Sequence, residues 1–171
     1  MRRRVISVAA VGATVLAVAL WKGRAQQLSL PDFSGEWRVV SATGTAPPED
    51  FTMQVTQSST SLRVTARWAE PANGRYGLTL LGLTTPDVIL STDGREDLNQ
   101  VGPFVLHART LWSGARLITN WNTSEFLGAS FQGQWVHFLS ADGHEMTIEI
   151  HANSSKGQHS DAVLTFQRRL P

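Results

Sequence analysis

The 171-residue sequence has no cysteine. This absence excludes disulfide bonds within the chain and excludes thiolate chemistry. Apolar residues make up 42% of the sequence and charged residues 17%, a balance typical of a folded domain rather than of a disordered chain. A domain of this length buries roughly 68–70% of its unfolded surface. We therefore expect one core that is stable without bridges or metal ions.

Motifs for catalysis and for cofactor binding are also missing. The sequence contains no Gly-x-Ser-x-Gly segment, no glycine-rich phosphate loop and no His-x-x-x-His pair. The acidic residues occupy ordinary positions, such as Asp93 and Asp142 in turns and Glu145 and Glu149 on the polar face of a strand. The sequence therefore predicts no catalytic residues, no metal site and no cofactor.

The first 25 residues have the composition of a secretory signal. Residues 2–4 are all arginine, residues 5–20 are apolar or small, and Gly23 and Ala25 occupy the −3 and −1 positions of a cleavage site. The apolar run is shorter than the ~20 residues that span a bilayer comfortably. We expect a signal-peptide helix at 1–25, a linker at 26–31, and a secreted or periplasmic protein without stable membrane insertion after cleavage. An uncleaved anchor is the alternative.

The predicted mature chain is mildly acidic. Five of the 15 lysine and arginine residues lie before residue 26 and none of the 14 acidic residues does, so the remaining chain carries a net charge of −4. Its basic residues are dispersed, and no stripe of them could follow a phosphate backbone. The sequence predicts no nucleic-acid partner.

Residues 32–171 show the pattern of consecutive β-strands. Apolar and polar residues alternate with a period of two, and Asp-Gly and Ser-Gly pairs separate the segments. The run at 76–83 is too uniformly apolar for one face to be assigned, and Gly133 is expected to mark a bulge or a bend. Because no segment has a convincing helical pattern, we predict an all-β, antiparallel up-and-down barrel of about 8–10 strands, closed so that no edge is exposed.

The two ends of this segment predict how the barrel closes. Gly35 allows a tight approach of the chain just before Trp37, the first large inward residue of the first strand. On the last strand Leu164 and Phe166 form the apolar face, which should point inward. Arg168 is on the same face because it is two residues further along the strand. We expect the Arg168 guanidinium to lie over the Trp37 ring, and Arg169 to lie in solvent.

These residues also suggest a family. The segment Phe33-Ser34-Gly35-Glu36-Trp37, together with Arg168, resembles the lipocalin and wider calycin group. A nearer resemblance, over almost all of 32–171, is to small exported bacterial β-barrel proteins of unknown function, which have a Phe-Ser-Gly-x-Trp opening and paired turns like those ending at Gly94 and Gly143. The resemblance to calycins implies a small apolar molecule bound inside the barrel.

The candidate pocket residues are aromatic and basic. Tryptophan rings could line a cup for a flat apolar ligand, and they could equally fill a small barrel without one. Polar groups such as Asn120 would orient the ligand. The candidates are Trp68, Trp112, Trp121, Trp135, His107, Arg109 and His137. A haem with one axial histidine is also compatible, with His137 as the first choice because Trp135 and Phe138 flank it.

Two classes of function follow from this reading. The first is an exported barrel that binds a small hydrophobic molecule in its interior. The second is an envelope-associated structural or interaction module whose barrel is filled by its own side chains. An enzyme built on the barrel mouth is a third alternative.

Overall fold

The structure, a computed structural model, describes residues 30–69, 83 and 87–169, and these residues form ten β-strands. The strands are β1 (Gly35–Thr43), β2 (Thr52–Gln57), β3 (Ser61–Arg67), β4 (Val88–Ser91), β5 (Asp93–Val101), β6 (Phe104–Ser113), β7 (Arg116–Thr123), β8 (Phe131–Leu139), β9 (Glu145–Ser154) and β10 (His159–Arg168). In these ranges no helix is long and apolar enough to cross a membrane. The predicted signal helix and most of the apolar run at 76–83 lie outside the described residues.

All ten strands belong to one antiparallel sheet that curls into a barrel. Its order is β4-β3-β2-β1-β10-β9-β8-β7-β6-β5. Each pairing joins strands that are consecutive in the chain, except for the pairing of β1 with β10, which brings the two ends of the domain together. The predicted all-β, up-and-down architecture is confirmed.

Alternation along each strand separates the core from the outer surface. On β9 the buried residues Met146, Ile148 and Ile150 alternate with Glu145 and other more accessible residues. Successive side chains of a strand point to opposite faces, so a period-two pattern buries one face and hydrates the other. The core therefore lies inside the barrel.

The barrel closes at β1 and β10 with the predicted contact. Trp37 and Arg168 are directly opposite each other in the two strands, and the guanidinium carbon of Arg168 lies 4.6 Å from the Trp37 ring centroid. Trp37 has no exposed surface, and its indole Nε1 donates a hydrogen bond of 2.8 Å to the Phe33 carbonyl. Arg169 lies on the outer side, where its Nη1 is 2.7 Å from Glu36 Oε1. It is thus exposed, as predicted, but in an ion pair.

The barrel is not closed by backbone pairing all the way around. The strands β4 and β5 are the two ends of the sheet order, so no backbone ladder joins them. Side chains bridge this seam instead: Asn99 accepts a hydrogen bond from Ile89 N (2.8 Å) and donates one to Ile89 O (2.9 Å). Asp97 accepts hydrogen bonds from the backbone and hydroxyl groups of Ser91. The expectation that closure leaves no unpaired edge is corrected here.

Gly133 does not form the bulge that was one of its two predicted roles. It stays in register with Trp121 on β7 and Ala152 on β9, so no bulge occurs there. A Cβ atom at this position would lie 2.1 Å from the His151 carbonyl oxygen and 2.6 Å from Trp121 Cζ2. Glycine is needed at this point because the Trp121 ring and a neighbouring backbone occupy the space of a side chain.

Candidate functional site

Two tryptophans and a histidine lie together inside the barrel on β7 and β8. Trp135 and His137 are two residues apart on β8 and therefore point to the same face. Trp121 points inward from β7, and its ring centroid is 5.4 Å from that of Trp135. We call Trp121, Trp135 and His137 the interior cluster.

The interior cluster carries three buried polar atoms without hydrogen-bond partners. Within the described part of the chain, Trp121 Nε1, Trp135 Nε1 and His137 Nδ1 have neither an acceptor nor a donor in reach. Buried polar groups in folded proteins are nearly always paired. Three unpaired atoms on two adjacent strands are therefore an unusual feature that calls for an explanation.

Burial sets the charge state of the cluster. Removal from solvent lowers the pKa of His137 from 6.5 to about 4, while a backbone hydrogen bond with Leu117 acts in the opposite direction. Desolvation disfavours the charged form of a histidine. The imidazole is consequently neutral at pH 7.

A hydroxyl pair lies beside the cluster. Thr119 is directly opposite Trp135 on the neighbouring strand, and its Oγ1 is 2.9 Å from Thr110 Oγ1 on β6. Both threonines are fully buried. Since each hydroxyl can donate and accept, the pair satisfies part of its own hydrogen-bonding capacity.

The interior around the cluster is closely packed. A water-sized cavity would leave part of its lining accessible, and eight inward-facing residues of β6, β7 and β9 have no accessible surface. They are Leu106, Ala108, Thr110, Leu117, Thr119, Ile148, Ile150 and Ala152. Side chains therefore fill this part of the barrel.

The other two candidate tryptophans do not join the cluster. Trp112 packs against Phe33 with a centroid distance of 5.9 Å, and Trp68 packs against Phe51 at 6.3 Å. Both are only partly buried. The four tryptophans of the predicted pocket thus separate into an interior pair and two more accessible rings.

His107 and Arg109 lie on the outer face of the barrel, not in the interior. They flank Glu96, with distances of 3.6 Å from His107 Nδ1 and 3.4 Å from Arg109 Nη2 to its carboxylate oxygens. Asn120 is also outside, where its Oδ1 accepts a hydrogen bond of 2.9 Å from Gln134 Nε2. These residues line an open groove of about 530 Å³. The expectation that they orient a ligand inside the barrel is corrected by this placement.

The residues present do not fit a haem or a metal ion. The ring of His137 is enclosed, with Phe33 edge-on at 6.4 Å, so no open face is left for a planar macrocycle. On the outer face Asp161 contacts His151 Nδ1 at 2.7 Å and His159 Nε2 at 2.9 Å. In the ranges that the structure covers, no three histidine, aspartate or glutamate side chains converge as metal ligands.

Three solved structures of similar fold come from animals. The zebrafish ileal bile acid-binding protein, solved in complex with cholic acid, aligns with a TM-score of 0.51 and 16% identity, over 80% of this chain and 98% of its own. Lipid binding protein 8 of Caenorhabditis elegans aligns with a TM-score of 0.52 and 6% identity, over 80% and 95%. A secretory abundant heat soluble protein of Ramazzottius varieornatus aligns with a TM-score of 0.52 and 8% identity, over 83% of this chain and 98% of its own.

These similarities show the fold, which is an antiparallel up-and-down barrel. No family model matches the sequence, and no curated protein matches it.

Proposed function

We propose that this protein binds a small apolar molecule inside its barrel, against Trp121, Trp135 and His137. The observation that carries the proposal is the set of three unpaired polar atoms in a mainly apolar interior. Leaving a buried donor or acceptor unpaired costs about 1–3 kcal/mol. A ligand that offers hydrogen bonds to these atoms would recover part of that free energy.

Binding requires the interior to expand. Ala108 and Ile150 have no accessible surface, so a ligand can enter only if neighbouring side chains move apart. The unpaired atoms lower the stability of the packed arrangement relative to one that contains a ligand. The bile acid-binding and lipid binding proteins of similar fold support this choice of ligand class, since their names state such ligands.

The second candidate is a filled barrel that acts through its surface. The complete burial of the interior residues favours it, and so do the open polar grooves outside, of which the one lined by His107 and Arg109 measures about 530 Å³. Such a protein would need no small ligand for its role in the cell envelope.

We also propose that the protein acts outside the cytoplasm. The basic residues 2–4, the apolar run and the small residues at 23 and 25 support export, with cleavage near residue 25. An exported protein that resembles small bacterial β-barrel proteins would be periplasmic or secreted and of bacterial origin.

Titration of the full chain with Nile red, a neutral apolar fluorophore, tests the interior site. We expect saturable binding at one site, with quenching of tryptophan emission as the dye takes up energy from Trp121 and Trp135. The matched variants are neighbours on β6: Ala108→Leu reduces the interior space, whereas Arg109→Ala changes only the outer groove.

Interior binding predicts that Ala108→Leu weakens dye binding and that Arg109→Ala does not. The reverse ranking would place the dye in the outer groove and overturn the proposal. An absence of saturable binding would favour the filled barrel.

A further inference from the structure

We propose that the interior ligand is a neutral molecule with a hydrogen-bond acceptor, such as an ester or a ketone, rather than a carboxylate. This inference rests on the proposed function. It follows from the chemistry of the interior: two N–H donors are unpaired, and no cation of the residues that the structure describes contacts them.

The donors determine what the ligand must offer. An indole nitrogen can only donate, so Trp121 Nε1 and Trp135 Nε1 both require an acceptor. Their rings are neighbours in the interior, with centroids 5.4 Å apart. A carbonyl oxygen has two lone pairs and matches this arrangement.

The third unpaired atom does not add a donor. The backbone hydrogen bond with Leu117 raises the pKa of His137, so the ring donates it, and with Nδ1 unpaired the neutral ring carries its proton on Nε2 and keeps Nδ1 as an acceptor. Because burial keeps the pKa of His137 at about 4, the ring carries no positive charge at pH 7. It therefore provides no counter-charge for a carboxylate.

Arg168, an inward cation on β10, is far from the tryptophans. Trp135 is in register with Ile150 on β9, and Ile150 with Ala162 on β10. Arg168 is six residues further along β10 than Ala162, which at about 3.3 Å per residue is roughly 20 Å. Its Nη2 already donates to the Asp32 carbonyl at 2.6 Å.

The cation at the seam is already engaged. Arg95 Nε donates a hydrogen bond of 2.7 Å to Ser91 Oγ and lies 4.0 Å from Oδ1 of Asp97, the carboxylate opposite Ala108. A buried charge without a partner is strongly disfavoured. Among the described residues no guanidinium or ammonium group bonds to or stacks on the interior cluster, so a ligand carboxylate there would lose its hydration without gaining a partner.

The test uses three ligands of similar length: methyl decanoate, decanoate and undecane. Each is used to displace Nile red from the full chain at pH 8. We expect the ester to bind about fivefold more tightly than the alkane, as one net hydrogen bond allows. The carboxylate should bind at least tenfold more weakly than the ester.

Two variants show whether the indole N–H is responsible. Trp135→Phe keeps an aromatic ring and removes one of the two donors, so it should reduce the advantage of the ester over the alkane while the alkane affinity is retained. Trp68→Phe is the control, because Trp68 packs against Phe51, which has ring contacts with Trp68 and Phe166 and not with the cluster.

The outcomes separate the inference from the proposed function. If none of the three ligands displaces the dye and none binds directly, the proposed function fails. If decanoate binds as tightly as the ester, or the ester no better than undecane, the interior site stands and its preference for a neutral acceptor is overturned.

Discussion

Arg168 makes two contacts that hold the ends of the domain together. Its guanidinium stacks on Trp37, and its Nη2 donates to the Asp32 carbonyl at 2.6 Å. Its aliphatic stem also covers Gly35, where a Cβ atom would lie 3.6 Å from the Arg168 Cγ. Arg169 makes its side-chain contact with the partly exposed Glu36. The two neighbouring arginines therefore differ in what they stabilise.

Arg168→Ala should destabilise the protein more than Arg169→Ala. A stacked cation contributes about 0.5–2 kcal/mol, and lost packing of the stem adds to it, whereas exposed ion pairs contribute about 0–1 kcal/mol. Thermal melts should show a decrease in Tm of about 5 °C for Arg168→Ala and a smaller one for Arg169→Ala. Equal decreases would mean that another contact closes the barrel.

His137 should make stability depend on pH. Its pKa in the folded protein is about 4, below its ordinary 6.5, so between these values the unfolded chain binds a proton that the folded chain does not. The free energy of unfolding should fall as the pH is lowered from about 6.5 to about 4. The contribution is on the order of 3 kcal/mol, and it should be absent above pH 6.5.

Urea unfolding of the parent and of His137→Phe at pH 7, 6, 5 and 4 measures this contribution. The stability of the parent relative to the variant should decrease steadily over the range. His144→Gln, in an exposed turn, is the control and should follow the parent. A parent–variant difference that stays constant with pH would show that His137 is protonated in the folded state as readily as in the unfolded one.

At the scale of the element, β5 is the unusual strand. Leu98 is exposed, whereas Asn99 is buried and Asp97 partly so. The usual alternation is reversed because the inward side chains of β5 take the place of a backbone ladder with β4. Asn99 bonds both the N–H and the carbonyl of Ile89, as a paired strand would.

Asn99→Leu should open the seam. The substitution leaves the Ile89 N–H and carbonyl without their partners and should cost about 2 kcal/mol or more. The amide proton of Ile89 should exchange with solvent faster, while exchange in β9 changes only as far as global stability does. Hydrogen exchange with residue resolution measures both.

The control for the seam is Gln100→Leu. Gln100 is the next residue on β5, is exposed, and bonds the Gly102 carbonyl within its own turn. Its replacement should change stability by about 0.5 kcal/mol or less. Unchanged exchange at Ile89 in Asn99→Leu would show that the seam is held by Asp97 and Ser91 instead.

The sequence predicts most strands because their alternation is regular. It does not predict β5, because there the apolar Leu98 is exposed and the polar Asn99 is buried. Asp93-Gly94 indicates a chain reversal, which occurs, but a turn signal does not show that the strands it joins will fail to pair. The outward position of His107 and Arg109 was accessible to sequence reasoning, since Leu106 and Ala108 form the more apolar face of β6.

The interior cluster was only partly accessible. Trp135 and His137 share a face by their spacing, and both were predicted site residues. Their unpaired nitrogen atoms, and the contact of Trp135 with Trp121, depend on how the sheet curls and on the space that Gly133 leaves. Such features arise from packing between strands and have no local pattern in the sequence.

At the scale of the whole molecule, the order of the strands means that the natural ends and the seam lie at opposite positions in the sheet. The pairing of β1 with β10 is the one that spans most of the described chain, and the seam separates strands adjacent in sequence. Circular permutation exchanges these two properties. A chain that runs from 93 to 169, then through a flexible linker of about six residues, then from 30 to 92, would have strands in strictly sequential order.

In that permuted chain every pair of hydrogen-bonded strands is consecutive in sequence. The new termini of the chain lie at the seam. Low contact order speeds folding, so the permutant should refold faster than the natural chain in stopped-flow experiments and retain most of its stability. A second permutant, opened at the exposed Gly128 between β7 and β8, keeps the same linker but makes the β7–β8 pairing distant. It should refold more slowly than the first. Only the first has its termini at the seam between β4 and β5, where no backbone pairing has to form between distant parts of the chain.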